Sequence, residues 1–296
     1  MIKSITNALR DLINRTACND FIYRFFWNPI IRFASLAERD RLRFDLDPKF
    51  GQSPAINNCA QKLRVQSGPF EGMLYPRAVA SGSALTPKLL GAYEAELHET
   101  IELLIAYQPQ VVFDIGSAEG YYAVGLALRL PEALIRAFDI DSVSRKLSAE
   151  MASANNVSDR VEIGDLCDQK TLRTLSQVKS VVISDCEGYE RRLFDANVAG
   201  LLIKTAFLIE MHDFRFPFIT RDLKVAFSKT HEIHQFFSVS DICRPQVFKY
   251  PAISGLSLAD QIAVLAENRP ADIWWLLCLP KPEVALDPVS SGPNVV

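Results

Sequence analysis

The segment from Val111 to Gly120 constrains the fold more than any other part of the chain. It opens with Val-Val-Phe-Asp-Ile, which predicts a buried strand, continues with Gly-Ser-Ala-Glu-Gly, and leads into an apolar helix that begins at Tyr121. A glycine at a strand exit lets the backbone turn tightly and approach a ligand without a Cβ clash. In doubly wound α/β sheets, ligands bind beyond the carboxyl ends of the strands, where such turns lie.

The same alternation of strand and helix continues to the end of the chain. Strands are predicted at 111–115, 133–139, 161–163, 180–184, 205–210, 231–239 and 273–279. Helices are predicted at 86–107, 121–130, 142–155, 171–177, 190–196, 219–230 and 258–267. Near-continuous apolar strands joined by helical crossovers indicate a parallel sheet covered on both faces. The fold class is therefore α/β and Rossmann-like.

Three regions are expected along the chain. Residues 1–90 form an N-terminal extension, helical to about residue 45 and then turn-rich, that serves acceptor binding or packing. Residues 91–280 form the sheet domain, and residues 281–296 are a disordered tail rich in Pro, Ser and Gly. Residues 21–43 mix aromatic side chains with arginines. We favour helices packed on the main domain there, with peripheral membrane contact as the alternative.

Composition and charge limit the classes of partner that the sequence favours. Across 296 residues, 49% are hydrophobic and 23% are charged, which is ordinary for a soluble globular protein. The net charge of −3 does not favour nucleic acid as a partner. Neither a signal peptide nor a transmembrane segment is predicted, so a cytoplasmic location is expected. The sequence does not indicate an oligomeric state.

The loop between Gly116 and Gly120 favours one class of nucleotide ligand. Asp139 follows Gly120 by 19 residues and ends the second strand, the place from which a carboxylate reaches ribose hydroxyls. A dinucleotide would require the pattern G-x-G-x-x-G, but Ala118 and Tyr121 stand at its second and third glycine positions. S-adenosylmethionine (SAM) lacks phosphate and carries a cationic amino group and a sulfonium, which acidic residues suit. A tight turn without a ligand is the alternative.

Four motifs resemble those of class I SAM-dependent methyltransferases, over residues 97–212. Residues 111–122 resemble the first motif, 137–141 the ribose-binding acid, 161–165 the adenine-binding loop, and 181–190 the fourth motif. Ala118 stands where many class I enzymes have glycine. The resemblance implies SAM as cofactor and implies that it is bound by Asp114, Gly116, Ser117, Ala118, Glu119, Gly120, Tyr121, Asp139, Ile140, Asp165, Leu166 and Asp185.

A narrower resemblance involves the ends of strands four and five. Asp185-Cys-Glu-Gly and Glu210-Met-His212 resemble the FkbM-type branch, which has Asp-x-Glu-Gly after strand four and Glu-x-His at the end of strand five. This resemblance implies the strand order 3-2-1-4-5-7-6, with the last strand antiparallel. It also implies methylation of hydroxyls on sugars or small natural products.

The catalytic candidates are His212, Asp185 and Glu210. A hydroxyl is a poor nucleophile at neutral pH, so a base or a metal is commonly required. We expect His212 to act as the base, oriented by one of the carboxylates, and no metal. Two alternatives remain: a divalent metal held by Asp185, Glu210 and Asp213, and a structural role for His212 at the strand end.

The predicted function is therefore O-methylation of a sugar, a glycan or another small-molecule hydroxyl. Two other classes stay open: an RNA or protein methyltransferase, and a SAM-fold binding protein without catalysis. The chain lacks the Asn/Asp-Pro-Pro-Tyr signature of enzymes that methylate exocyclic base amines. The acids at positions 114, 139 and 185 are intact, which argues against a decayed site.

Overall fold

The computed structural model describes residues 63–269 and 273–282. The helices expected before residue 63, the membrane contact considered for residues 21–43, and the tail from residue 283 onward lie outside the described residues. In the part of the chain that the structure describes, no helix is long and apolar enough to cross a bilayer.

The described residues form a seven-stranded sheet with the order β3-β2-β1-β4-β5-β7-β6. Its strands are β1 (Val111–Ile115), β2 (Leu134–Phe138), β3 (Val161–Gly164), β4 (Ser180–Ser184), β5 (Thr205–Met211), β6 (His231–Phe237) and β7 (Trp274–Pro280). Strands β1 to β5 pair in parallel, whereas β7 runs antiparallel to both β5 and β6. The predicted strand order and the antiparallel last strand are confirmed.

Helices cover both faces of this sheet. They are α1 (Leu85–Leu90), α2 (His98–Ala106), α3 (Tyr121–Arg129), α4 (Ser142–Ala154), α5 (Gln169–Leu172), α6 (Glu190–Leu193), α7 (Ala196–Leu201), α8 (Ile219–Phe227), α9 (Arg244–Val247) and α10 (Leu258–Leu265). Successive strand residues point to opposite faces. Val112 and Val181 accordingly belong to one buried apolar cluster, and Phe113 and Val182 to another. The Rossmann-like α/β class is confirmed.

The single helix predicted at 86–107 is wrong, because the chain breaks into α1, a 3-10 turn at Ala95–Leu97, and α2. Gly91 ends α1 in the left-handed region with φ of 76°. A Cβ on Gly91 would lie 1.9 Å from the carbonyl oxygen of Ser67, so the crossing of these two backbone segments requires a glycine. The apolar residues keep a helical spacing across this break, so the sequence pattern does not indicate it.

Residues 63–90 contribute side chains to the main core. Val65, Phe70, Met73 and Tyr75 are all buried within the apolar cluster that includes β1 and α3. A Cβ on Gly125 of α3 would lie 2.5 Å from Cγ of Phe70, so this ring packs directly on the helix. This segment is thus built into the core beside the first strand–loop–helix unit.

Candidate active site

The loop after β1 lies against the loop after β4. Gly116 has φ of +82°, and a Cβ placed there would come 1.7 Å from the carbonyl oxygen of Asp185. The amide of Asp185 in turn donates to the carbonyl of Ile115, at 2.9 Å. Parallel strands bring their carboxyl ends to one edge of the sheet, and these contacts place the two sequence motifs side by side.

The acid that ends β2 is tied to the same loop. One carboxylate oxygen of Asp139 accepts from the amide of Ala118, at 2.9 Å, and the other accepts from the amide of Asp141, at 2.8 Å. Ile140 follows Asp139 and is 80% exposed, and Leu166 follows β3 and is 51% exposed. Because β2 and β3 are neighbours, two exposed apolar side chains and the exposed Asp165 lie at one edge of the sheet.

The two acids of the first motif are both buried. Asp114 accepts from the amide of Ala123 at 2.9 Å, and burial raises the pKa of its carboxyl to about 7. Glu119 accepts from Lys88 Nζ at 2.6 Å, the Ser81 amide at 2.9 Å and the Tyr75 hydroxyl at 3.2 Å. Glu119 therefore joins the loop to residues 75–88 through its carboxylate.

The remaining loop residues are packed in place. Ser117 is buried and its amide donates to the carbonyl of Phe138 at 3.0 Å. Gly120 has φ of +92° and starts α3. The buried Tyr121 ring makes edge contacts with Phe70, Tyr93 and Tyr122, at centroid distances of 5.3, 5.4 and 5.4 Å. Hydrogen bonds and aromatic packing thus hold the loop from Gly116 to Gly120 against the rest of the domain.

The three catalytic candidates converge at the ends of β4 and β5. His212 Nε2 lies 3.5 Å from Asp185 Oδ1 and 3.4 Å from Glu210 Oε2. One donor atom from each of the three residues lies within 4.8 Å of the others. His212 and Glu210 are buried, whereas the Asp185 side chain is 39% exposed. The cluster thus has one side open to solvent.

Glu190, from α6, fixes the imidazole of His212. Its Oε1 lies 3.0 Å from His212 Nδ1, and the carboxylate is fully buried. A carboxylate only accepts, so Nδ1 carries the proton of this hydrogen bond. Burial opposes the ionised carboxylate, but the hydrogen bond and charge of His212 hold the pKa of Glu190 below its usual value. Burial likewise opposes the imidazolium, but Glu190 and its acidic neighbours hold the pKa of His212 above its usual value.

Glu210 is held from its other side by Arg269. The guanidinium contacts Oε1 of Glu210 and also pairs with Glu94 at 2.6 Å and with Glu267 at 2.8 Å. Burial, followed by the charge of Asp185, raises the pKa of Glu210 well above its usual value. Arg269 thereby orients one carboxylate oxygen and leaves Oε2 toward His212.

Glu190, Arg269 and Lys88 contact the site but are not among the residues predicted from the sequence. Glu190 had a local signal, since it lies five positions after Asp185, where a helical turn brings it back beside the motif. Arg269 had none, because its partner Glu94 is 175 positions away in the chain. Lys88 falls in a region where no motif was recognised, and it is 31 positions from Glu119.

The segment after β5 is an aromatic loop, residues 213–218. Asp213 accepts from the amide of Thr220 near the start of α8, so its carboxylate is directed away from the cluster. Phe214 and Phe216 are 44% and 48% exposed, and the Phe214 ring centroid lies 5.7 Å from that of His212. A Cβ on Gly188 would lie 2.6 Å from the Phe216 ring, which therefore covers the loop after β4.

Comparisons with known proteins give distant structural neighbours. No family profile matches the chain, and no curated protein matches it. A putative O-methyltransferase from Klebsiella pneumoniae is 11% identical, with 83% of this chain and 97% of that chain covered and a TM-score of 0.43. The O-methyltransferase TomG from Streptomyces achromogenes, solved with SAM, is 13% identical, with 82% and 99% covered and a TM-score of 0.42. An O-methyltransferase from Bacillus cereus, solved in complex with SAH, is 10% identical, with 60% and 77% covered and a TM-score of 0.39. At such low similarity, the function of this chain has to be inferred from its own residues.

Proposed function

We propose that the protein is a SAM-dependent methyltransferase that methylates a hydroxyl of a sugar, a glycan or another small molecule. The observation that carries this proposal is the junction at Gly116. There the loop suited to SAM touches the backbone of Asp185, which belongs to the Asp185–Glu210–His212 cluster. A nucleoside-binding loop and a cluster able to activate a hydroxyl thus share one edge of the sheet.

The residues along this edge fit SAM. We expect the carboxylate of Asp139 to bind the ribose hydroxyls, as an acid at this position does in doubly wound folds. Ile140 and Leu166 offer exposed apolar surface that a flat adenine base would bury, and Asp165 offers an acceptor for its amino group. The acids Asp114 and Asp185 favour a cationic ligand over a pyrophosphate. The absence of the dinucleotide glycines at Ala118 and Tyr121 favours the same choice.

The acceptor side of the site is formed by the cluster and the aromatic loop. Bound SAM supplies an electrophilic methyl group: an acceptor O–CH3 bond forms, the S–CH3 bond breaks with its electron pair left on sulfur, and the hydroxyl proton is released. Asp185, Glu210 and His212 lie where they can orient that hydroxyl and promote loss of its proton. Phe214 and Phe216 offer exposed rings next to the cluster for the apolar face of an acceptor.

Isothermal titration with SAM and S-adenosylhomocysteine tests the cofactor half of this proposal. We expect both to bind the wild-type protein with a stoichiometry of one. Asp139→Asn should weaken binding by about 10–100-fold, because a hydrogen bond to a charged group contributes about 1.5–3 kcal/mol. The exposed Asp159→Asn is the matched control and should leave the affinity unchanged. Failure of the wild type to bind either compound would exclude the proposal.

Release of S-adenosylhomocysteine in the presence of acceptors tests the second half. A panel of neutral sugars, glycosides and phenols is incubated with SAM, and methylated products are identified by mass spectrometry. Transfer to oxygen is the expected result. Transfer only to RNA or to protein side chains would overturn the hydroxyl assignment, whereas binding of SAM without transfer to any acceptor would favour a binding protein.

A further inference from the structure

We infer that Asp185, Glu210 and His212 bind a divalent ion of the first transition row, such as Zn²⁺ or Mn²⁺, through one donor atom each. The role of this ion in activating a hydroxyl rests on the proposed function, whereas the site itself rests on the geometry of the three side chains. The sequence leaves open a metal held by Asp185, Glu210 and Asp213 but favours a site without one. The side-chain positions favour a different set, with His212 in place of Asp213.

The distances from His212 Nε2 to the two carboxylates match those between ligands of one metal ion better than those of hydrogen bonds. His212 Nε2 is 3.5 Å from Asp185 Oδ1 and 3.4 Å from Glu210 Oε2, beyond the usual range of N–H···O hydrogen bonds. Nitrogen and oxygen ligands about 2.0–2.2 Å from a tetrahedral ion are themselves separated by about 3.3–3.6 Å. Both separations from Nε2 therefore allow one ion to bind the imidazole and a carboxylate oxygen together, and all three donor atoms lie within 4.8 Å of one another.

The orientation of His212 is that of a metal ligand. Its Nδ1–H donates to the buried Glu190 at 3.0 Å, so the neutral imidazole has its lone pair on Nε2, facing the two carboxylates. Metal-bound histidines usually donate their other ring nitrogen to a carboxylate or carbonyl in this way. Two carboxylate oxygens facing Nε2 favour a positive charge between them, which a proton on Nε2 supplies in the metal-free protein and a bound cation would supply in its place.

The carboxylates are also arranged as ligands. Arg269 binds Oε1 of Glu210, so that only Oε2 remains for the cluster. Asp213, which follows His212 in the sequence, accepts from Thr220. Glu187 Oε2 lies 3.8 Å from His212 Nε2 and pairs with Arg215. Because the Asp185 side chain is 39% exposed, a fourth position on its side is accessible to an acceptor oxygen. Three protein ligands and one open position are typical of catalytic metal sites.

The ligand types indicate the class of ion. Imidazole nitrogen suits Zn²⁺ and Mn²⁺ better than Mg²⁺ or Ca²⁺, which prefer oxygen ligands and more of them. An ion here would act as a Lewis acid on the acceptor hydroxyl and lower its pKa, so that its proton passes to solvent water. His212 would then be a ligand rather than the base.

Metal binding is measurable without any methyl acceptor. The full chain is treated with EDTA, desalted, and titrated with MnCl₂ while the electron paramagnetic resonance signal of unbound Mn²⁺ is recorded. Zinc content is measured by mass spectrometry after dialysis against ZnCl₂. We expect one Mn²⁺ or Zn²⁺ per chain and weaker binding of MgCl₂.

Three variants locate the site. Asp185→Asn should weaken Mn²⁺ binding by at least about 10–100-fold, which is the range expected from loss of even an outer partner of a ligand. Glu190→Gln, which removes such an outer partner, should weaken it within that range. Glu132→Gln is the control: Glu132 is exposed and precedes β2, at the edge of the sheet opposite the cluster, and affinity should change less than about threefold. Circular dichroism verifies that each variant folds, and S-adenosylhomocysteine titration verifies it further for the two glutamate variants.

The outcomes separate the two proposals. Absence of Mn²⁺ and Zn²⁺ binding, or binding that Asp185→Asn leaves unchanged, overturns the metal site. Binding of Mg²⁺ in preference to Mn²⁺ and Zn²⁺ overturns the assigned class of ion. If S-adenosylhomocysteine binds while metals do not, only the metal inference fails. If metals bind while neither SAM nor S-adenosylhomocysteine does, only the proposed function fails.

Discussion

At the scale of single residues, Gly116 is constrained by its neighbour strand as well as by its loop. Its φ of +82° is a conformation that side-chain-bearing residues rarely adopt, and a Cβ would collide with the backbone oxygen of Asp185 at 1.7 Å. The obstacle is backbone hydrogen-bonded to β1, so it cannot turn away as a flexible side chain would. The sequence signal for a ligand-binding glycine therefore also reports a close approach of two strands.

Gly116→Ala should lower the free energy of unfolding by about 2–5 kcal/mol, the sum of left-handed strain and a backbone overlap. Gly200→Ala in α7 is the control, because nothing lies within 4 Å of the added carbon. That change should be neutral or stabilise by up to about 1 kcal/mol. Urea denaturation of both variants measures the difference, and equal losses would contradict this account.

His231 predicts a pH dependence of stability. It is 1% exposed, its Nε2–H donates to the carbonyl of Thr205 at 3.0 Å, and burial lowers its pKa from the usual 6.5 to about 4. Between these pH values the unfolded chain binds a proton at this residue that the folded chain does not. The stability that neutral His231 contributes is therefore fully present above pH 6.5, and it is lost as the pH falls toward 4.

The size of this effect is measured by comparing wild type with His231→Gln. Between pH 7 and pH 5, the histidine should account for a loss of about 2 kcal/mol in unfolding free energy. Other groups titrate in the same window, so the quantity of interest is the difference between the two proteins' pH profiles in urea denaturation. Parallel profiles would show that His231 does not titrate as its burial predicts.

The two glutamates Glu119 and Glu190 show what single-residue prediction misses. Glu119 stands in a recognisable motif and its role in cofactor binding stays a prediction, but the sequence does not predict that its carboxylate accepts from Lys88, Ser81 and Tyr75. Glu190 was given no role, yet it fixes His212. Both outcomes depend on partners brought near by the fold, and sequence spacing contains no information on which partner a buried acid will find.

At the scale of elements, prediction succeeds where local pattern and burial agree. The bounds predicted for β1 and β4 match those observed, because both are short apolar runs buried on both faces. The prediction of one helix at 86–107 fails because the break in this segment depends on contacts with residues distant in the sequence. Glu94 adopts φ of 47° and places its carboxylate on Arg269, while its amide donates to Glu267 at 2.7 Å. Residues far along the chain thus override helical periodicity.

The aromatic loop gives a prediction about acceptor binding. Phe218 has φ of 75°, a conformation that is costly for a bulky residue, and strain of this kind concentrates at functional sites. If the rings of Phe214 and Phe216 contact the acceptor, Phe214→Ala and Phe216→Ala should each raise KM about 5–30-fold with little change in kcat, through lost apolar contact.

The matched control for the loop is Leu128→Ala. Leu128 is similarly exposed, at 41%, but it lies in the last turn of α3, at the end of the helix far from the loop after β1. Steady-state kinetics are measured with an acceptor from the panel that the wild-type protein methylates. The KM for this acceptor should be unchanged in Leu128→Ala. A fall in kcat alone for the two phenylalanine variants would indicate a positioning role instead of acceptor contact.

At the scale of the whole molecule, buried charges connect distant parts of the chain. Arg244 is fully buried and binds Glu96 at 3.2 Å, Glu267 at 2.5 Å and the carbonyl of Ala92 at 2.6 Å. It joins the segment before α2 to α9 and to the end of α10. Two carboxylates thus depend on one guanidinium, and Glu267 is shared with Arg269. These ion pairs join the segment before α2, which contains Glu94 and Glu96, to α9 and to the residues that follow α10.

Arg244→Met should lower the free energy of unfolding by about 3–5 kcal/mol at pH 8, because it leaves the largely buried side chain of Glu96 without this cation and Glu267 with Arg269 alone. The loss should be smaller at pH 5.5. Burial already raises the pKa values of Glu96 and Glu267, and Arg244 opposes that rise, so its removal raises both further. The folded variant then binds protons that its unfolded chain does not, and its stability increases as the pH falls.

Urea denaturation at both pH values provides the measurement, and Arg221→Met provides the comparison. Arg221 pairs with Asp222 on the surface, where its side chain is 68% exposed, so its loss should cost less than about 1 kcal/mol at either pH. If Arg244→Met cost no more than this, or cost the same at pH 8 and pH 5.5, the buried pairs would not be stabilising ion pairs. A loss that depends on pH for the buried arginine alone would show that ionised carboxylates hold these segments together.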